Sequence, residues 1–153
     1  MARSRTQVAF RLAQLGAVAA EQFGERVAEL ELSRPQAGLL RLIGRRPGQS
    51  QRAVAAQLGT PPSRLVALLD DLERRDLLER RRNPDDRRNH ELHLTPAGER
   101  TLDRLGVVAA DHEAAVTVGL SAAERTRLDE LLGRLAAAHG LAEGVHPGYR
   151  RPD

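Results

Sequence analysis

Residues Arg80–Gly98 read RRRNPDDRRNHELHLTPAG. Arg80, Arg81, Arg82, Arg87 and Arg88 crowd into this short stretch, yet Asp85 and Asp86 stand in their midst. A plain attractor for phosphate would exclude the two carboxylates, so their presence calls for a geometric reason. The flanks supply the setting. The segments Leu77–Arg81 and Glu91–Leu94 read as short strands; in the second, Leu92 and Leu94 point one way and Glu91 and His93 the other. Asn83, Pro84 and Asp85 are turn formers. The stretch is therefore expected to be a β-hairpin with an arginine-bearing tip, its turn capped or closed by Asp85. Thr95 followed by Pro96 has the form of an N-cap and the first residue of another helix.

Upstream of the hairpin, Ser50 is placed to cap a short helix from Gln51 to Leu58, which Gly59 ends. Thr60 is the expected cap of the next helix, with Pro61 and Pro62 in its first turn. Leu65, Leu68, Leu69 and Leu72 recur at the spacing of one buried helical face. This pair of helices is a helix-turn-helix pattern, and a hairpin directly after it makes a winged helix-turn-helix. The expected fold is thus mainly α with a small β-hairpin wing. Further upstream, Ser33 and Gln36 form a capping box for a helix carrying Leu39, Leu40, Leu42 and Ile43. Before that, Val8, Leu12, Leu15, Ala19, Phe23, Val27 and Leu30 trace one apolar stripe along a long helix, which needs a partner surface. Downstream, a helix running to about Val118 presents Leu102, Leu105, Val108 and Ala109. Ser121 and Glu124 then open a last helix carrying Leu128, Leu131, Leu132 and Leu135, with Gly140 as its stop and a frayed tail beyond.

Composition narrows the function classes. The chain has 153 residues, 41% hydrophobic and 29% charged, which suits one folded domain. With two Phe, one Tyr and no Trp, the core must be built from Leu, Val and Ala. Every basic residue is arginine, so each basic contact can be forked and planar. The absence of cysteine excludes disulfides, thiolate nucleophiles and thiolate metal sites, and fits a cytoplasmic setting. Arg11 and Gln14 interrupt the N-terminal apolar residues, which argues for a helix there and against a signal peptide, and no run is long enough to span a membrane. His90 and His93 would lie on opposite faces of a strand, so no metal site is expected. No nucleophile–base constellation or Gly-rich phosphate loop is present, so neither an enzyme nor a cofactor is expected.

The segment LERRDLLERRRNPDDRRNHELHLTPAGE closely resembles the MarR family of bacterial transcription regulators. The matching features are Leu72-Glu73, Leu77-Leu78, the wing tip Asp86-Arg87-Arg88, and Leu94-Thr95-Pro96-Ala97-Gly98. The specific match covers roughly Leu32 to Gly98; the flanks resemble the family in architecture. Ala37, Val66, Ala67 and Asp76 depart from the family pattern, which often has an aromatic, a polar residue, an arginine and a glycine at these positions.

The resemblance implies a dimerisation helix over residues 1–31, a winged helix-turn-helix DNA-binding domain over 32–98, C-terminal dimerisation helices over 99–139 and a flexible tail over 140–153. It also implies that Arg88 enters the minor groove of double-stranded DNA, where a narrow groove concentrates negative potential. That answers the opening question: Asp86 is the expected strut for Arg88, since a charge-assisted hydrogen bond fixes a long side chain in one pose. Arg80, Arg81, Arg82 and Arg87 are candidates for phosphate contacts, and Gln51 and Arg52 can meet phosphate at the start of their helix. With the leucines buried, the opposite face of the recognition helix carries Ser63, Val66, Ala67, Asp70 and Arg74, with Thr60 and Arg64 near its N-terminal end. Ser63 and Arg64 are the polar base-contact candidates, and Val66 and Ala67 can touch thymine methyls. A homodimer on a pseudo-palindromic site, acting as a repressor and released by a small aromatic or anionic ligand, completes the expectation. The alternative is a winged-helix protein-interaction or non-specific DNA-binding module without ligand response.

Overall fold

The computed structural model describes residues 7–86 and 89–146. Helices α1 (Val8–Ala28) and α2 (Arg34–Arg45) lead into a two-residue strand β1 (Gln49–Ser50). The helix-turn-helix pair α3 (Gln51–Leu58) and α4 (Pro62–Arg74) follows, then the hairpin β2 (Leu78–Arg82) and β3 (His90–Leu94). Helices α5 (Pro96–Val116) and α6 (Ala122–Ala138) close the chain. The three strands form one antiparallel sheet in the order β1-β3-β2. In its hairpin Leu78 faces Leu94, Arg80 faces Leu92 and Arg82 faces His90.

The helix ends follow their capping chemistry. Ser33 Oγ accepts from the Gln36 N–H at 3.3 Å, and Gln36 Oε1 accepts from the Ser33 N–H at 2.9 Å. Ser121 and Glu124 repeat the arrangement; the hydrogen bonds from Ser121 hold the Glu124 carboxyl below its ordinary range. Ser50 caps α3 through the Ala53 N–H, and Gly59 ends it in the left-handed region at φ +59°. Thr95 Oγ1 caps α5 by accepting from the Gly98 N–H at 3.0 Å. Each such cap contributes about 1 kcal/mol.

One core gathers Val27, Ala37, Leu39, Leu40, Ile43, Val54, Leu58, Leu65, Leu69, Leu72, Leu78, Leu92 and Leu105. Leu65, Leu69 and Leu72 are fully buried, as their spacing demands, and Leu68 packs against them half-buried. The core crosses the expected boundaries near residues 31 and 98, because Val27 of α1 and Leu105 of α5 lie inside it.

Three details differ from the sequence expectation. Strand β1 was not foreseen, since two polar residues carry no alternation signal; it exists because β3 offers it a free edge. Thr60 does not cap α4: Pro61 occupies the N-cap position without a side-chain hydrogen bond, and Thr60 is only 6% exposed, its Oγ1 lacking a partner among the described residues. Among the described residues, Asp85 does not close the hairpin turn. Asn83 does, its Oδ1 accepting from the Asp85 N–H at 2.7 Å and the Asp86 N–H at 3.3 Å. After Gly140, Val145 is half-buried against the core, while Leu141, Ala142, Glu143, Gly144 and His146 are exposed.

The first half of the α1 stripe and the stripe of α6 are left uncovered. Val8, Leu12 and Leu15 of α1 and Leu128, Leu131, Leu132 and Leu135 of α6 are all exposed. No helix among the described residues is long and apolar enough to cross a membrane.

Candidate nucleic-acid interface

Burying the leucine face of α4 turns its other face to solvent. Ser63, Arg64 and Ala67 are exposed there, and Val66 is half-buried beside them. Arg64 makes no hydrogen bond to another described residue through its side chain, so its guanidinium is available to a partner. Farther along, Arg74 is exposed while paired to Asp71 at 3.0 Å.

The wing lies against this helix pair. Gln51, Arg52 and Ala55 of α3, Thr60 in the turn, Pro62 and Leu65 of α4, and Asn89 and His90 of the wing border one crevice of about 680 Å³. Arg52 is exposed at its edge. The wing residues Asn89 and His90 had no place among the sequence candidates. Their adjacency to α3 is a product of strand pairing and carries no local sequence signal.

Arg80 behaves otherwise than the sequence suggested. Its side chain is only 17% exposed, with Nη2 2.6 Å from Asp70 Oδ1 and Nη1 in contact with Glu73 Oε2. The guanidinium is spent on binding β2 to α4, because strand alternation turns it towards two carboxylates of the neighbouring helix. This engagement leaves Arg80 less free than Arg82 to meet a phosphate. Arg81 pairs with Glu79 while remaining exposed. Arg82, last in β2, is exposed and makes no side-chain hydrogen bond to another described residue.

At the wing tip, Asp86 accepts from Asn89 Nδ2 at 2.7 Å, and the Asn89 N–H bonds back to the Asp86 carbonyl at 3.0 Å. Arg87 and Arg88, and with them the expected strut from Asp86 to Arg88, lie outside the described residues. Thr60, named as a candidate contact, is turned inward and offers little surface. His93 sits 3.3 Å from Glu91, and among the described residues no group of three or more His, Asp or Glu side chains converges as a metal site would require.

A glycine fixes how α5 leaves the wing. A Cβ on Gly98 would stand 1.9 Å from the Leu77 carbonyl oxygen, so only glycine lets the start of α5 approach the connection between α4 and β2 this closely. Asp76, just before, holds the left-handed conformation at φ +56°, and its carbonyl accepts from the Thr95 hydroxyl.

These details describe a winged helix-turn-helix with an exposed recognition face. The family model of the MarR family matches residues 30–89. The transcriptional repressor CouR, solved on a 23-mer DNA duplex, superposes with a TM-score of 0.76 at 36% identity, covering 86% of this chain and 92% of CouR. The chain belongs to the MarR family. The PcaV regulator of Streptomyces coelicolor, solved with its natural ligand, matches with a TM-score of 0.71 at 30% identity, over 91% of this chain and 99% of PcaV. A protein of Thauera aromatica described as a transcriptional regulatory protein for the hcr operon is 37% identical over 98 residues. That match takes in 64% of this chain and 59% of the relative's length. Within the MarR family framework, α4 is the recognition helix, the β2–β3 hairpin is the wing, and Asp76 stands in a left-handed position where family members often carry glycine.

Proposed function

We propose that this MarR family member is a sequence-specific, homodimeric DNA-binding transcription regulator that acts as a repressor. The observation that carries the reading is the solvent-facing side of α4, where Ser63, Arg64 and Ala67 stand clear beside a crevice bordered by Arg52 and the wing. A recognition helix reads bases from its N-terminal half, and this is where the accessible polar and methyl groups lie. The wing arginines add phosphate attraction, which raises affinity without reading sequence. Residues 32–98 serve as the DNA-binding unit, and the helices on either side serve for dimerisation. Two copies related by two-fold symmetry would set their recognition helices roughly 34 Å apart on a pseudo-palindrome. A small aromatic or anionic ligand would release the DNA by binding one spacing of the two helices more tightly than the other. PcaV with its natural ligand supports that part by analogy.

Selection from random duplexes with the purified full-length protein tests the reading. An inverted repeat should be enriched, and Arg64→Ala should lower affinity for it about tenfold or more relative to non-specific duplex. Recovery of unrelated sequences without two-fold symmetry would sink the proposal and favour a non-specific module.

A further inference from the structure

The end of α4 away from its exposed polar tip is tied to the elbow between α1 and α2. Asp71 is the hub. Its Oδ2 accepts from Gln36 Nε2 at 2.5 Å, and its Oδ1 from Arg74 Nη2 at 3.0 Å. Arg75 Nη1 lies 3.8 Å from Asp71 Oδ2 and donates to the carbonyl of Glu31 at 2.7 Å. Gln36 is only 8% exposed and is already gripped by Ser33, so it is a rigid post. The elbow is itself constrained: Glu31 holds φ +57°, a left-handed conformation that costs a non-glycine residue energy and persists where its surroundings enforce it. Arg34 Nη1 donates to the Ala20 carbonyl at 3.2 Å, which binds the start of α2 to α1.

We infer that Asp71, acting with Gln36 and Arg75, is a positioning residue that sets the angle of the recognition helix relative to the dimerisation helix and so determines which half-site spacing the dimer accepts. This rests on the DNA-binding dimer proposed above. The physical argument is one of direction. The leucine face of α4 supplies attraction, but apolar burial is non-directional and resists a small tilt weakly. Hydrogen bonds to a fixed carboxamide and a fixed carbonyl resist it strongly. Helix α4 has 13 residues, hence a length of about 20 Å. A tilt of about 10° at the anchored end moves the far end by about 3 Å, close to one base-pair step. Loosening the clamp should thus blur the choice of spacing.

The test uses the full-length protein and duplexes built from the half-site that the wild type selects, with the spacer set to the selected length or changed by one and two base pairs. Asp71→Ala and Arg75→Met should bind the selected spacing nearly as well as wild type. Their preference for it over the altered spacings should fall by about fivefold or more. Arg75→Lys, which keeps a donor for the Glu31 carbonyl, should restore part of that preference. Ile43→Val serves as a control that weakens the core without touching the clamp, and should leave the preference unchanged. Thermal unfolding establishes that each variant is folded. Wild-type discrimination in both clamp variants, or an equal loss of affinity at every spacer, would overturn the inference while leaving the function proposal intact. Failure of the wild type to select any two-half-site duplex would overturn both.

Discussion

Gly98 shows how much one residue can govern. The carbonyl of Leu77 occupies the space where a side chain would begin, and backbone on both sides leaves neither partner free to move aside. Gly98→Ala is expected to destabilise the fold by about 3 kcal/mol, read as a fall in the urea midpoint with little change in slope. Gly44 makes an instructive contrast, since a Cβ there would meet the movable side-chain tips of Leu102 and Leu94 and no backbone. The Thr-x-x-Gly spacing was readable in the sequence as a cap and part of a family signature. That the glycine is required by a backbone two elements away was not readable. Thr60 gives the reverse lesson: it has the right chemistry for a cap, but the Pro61-Pro62 pair shifts the helix start and core packing draws its side chain inward.

At the scale of elements, the contact between α4 and the wing is where charge counting misleads. Five arginines in the hairpin look alike in sequence, yet Arg80 lies beside α4, while Arg82, on the same strand face but two residues nearer the wing tip, is left in solvent. The two should therefore respond differently to loss of charge. Arg82→Met is expected to lower the dependence of DNA affinity on salt by about one unit of log–log slope. Arg80→Met should leave the number of phosphate contacts unchanged and instead lower stability, because Asp70 and Glu73 lose their common counter-ion. Gel-shift titrations at several salt concentrations, alongside thermal melts, separate the two effects. A reduced slope for Arg80→Met would return that residue to the interface.

The whole molecule is incomplete as one copy. The exposed leucines of α6 and the exposed apolar residues of α1 form apolar surface that is stabilised by being covered, and a second copy is the occupant proposed. Leu132→Glu is expected to convert the dimer to monomer in sedimentation velocity and to remove high-affinity binding to the selected inverted repeat. A fully dimeric variant would move the interface elsewhere. The packing of α5 on α1 also carries a pH signature. His112 meets Phe23 with ring centroids 5.4 Å apart, its Nδ1 is buried without a partner among the described residues, and burial, with Arg26 nearby, holds its pKa below the ordinary 6.5 despite Glu113. The unfolded chain therefore binds the proton more readily, and stability rises with pH through this window. The melting temperature should fall as pH drops below about 6.5, and His112→Gln should remove part of that fall; an unchanged profile would assign the pH dependence to other groups.

The order of elements, the caps at Ser33, Ser50, Thr95 and Ser121, and the buried face of α4 were legible in the chain, because each depends on residues within a turn or two of one another. Hydrophobic period and capping chemistry are local, so they survive in a linear reading. The third strand at Gln49–Ser50, the commitment of Arg80 to Asp70 and Glu73, the clamp around Asp71, and the need for glycine at 98 were decided by the tertiary structure. Each depends on groups from different elements meeting at hydrogen-bonding or van der Waals distance, a relation that only the packed core creates.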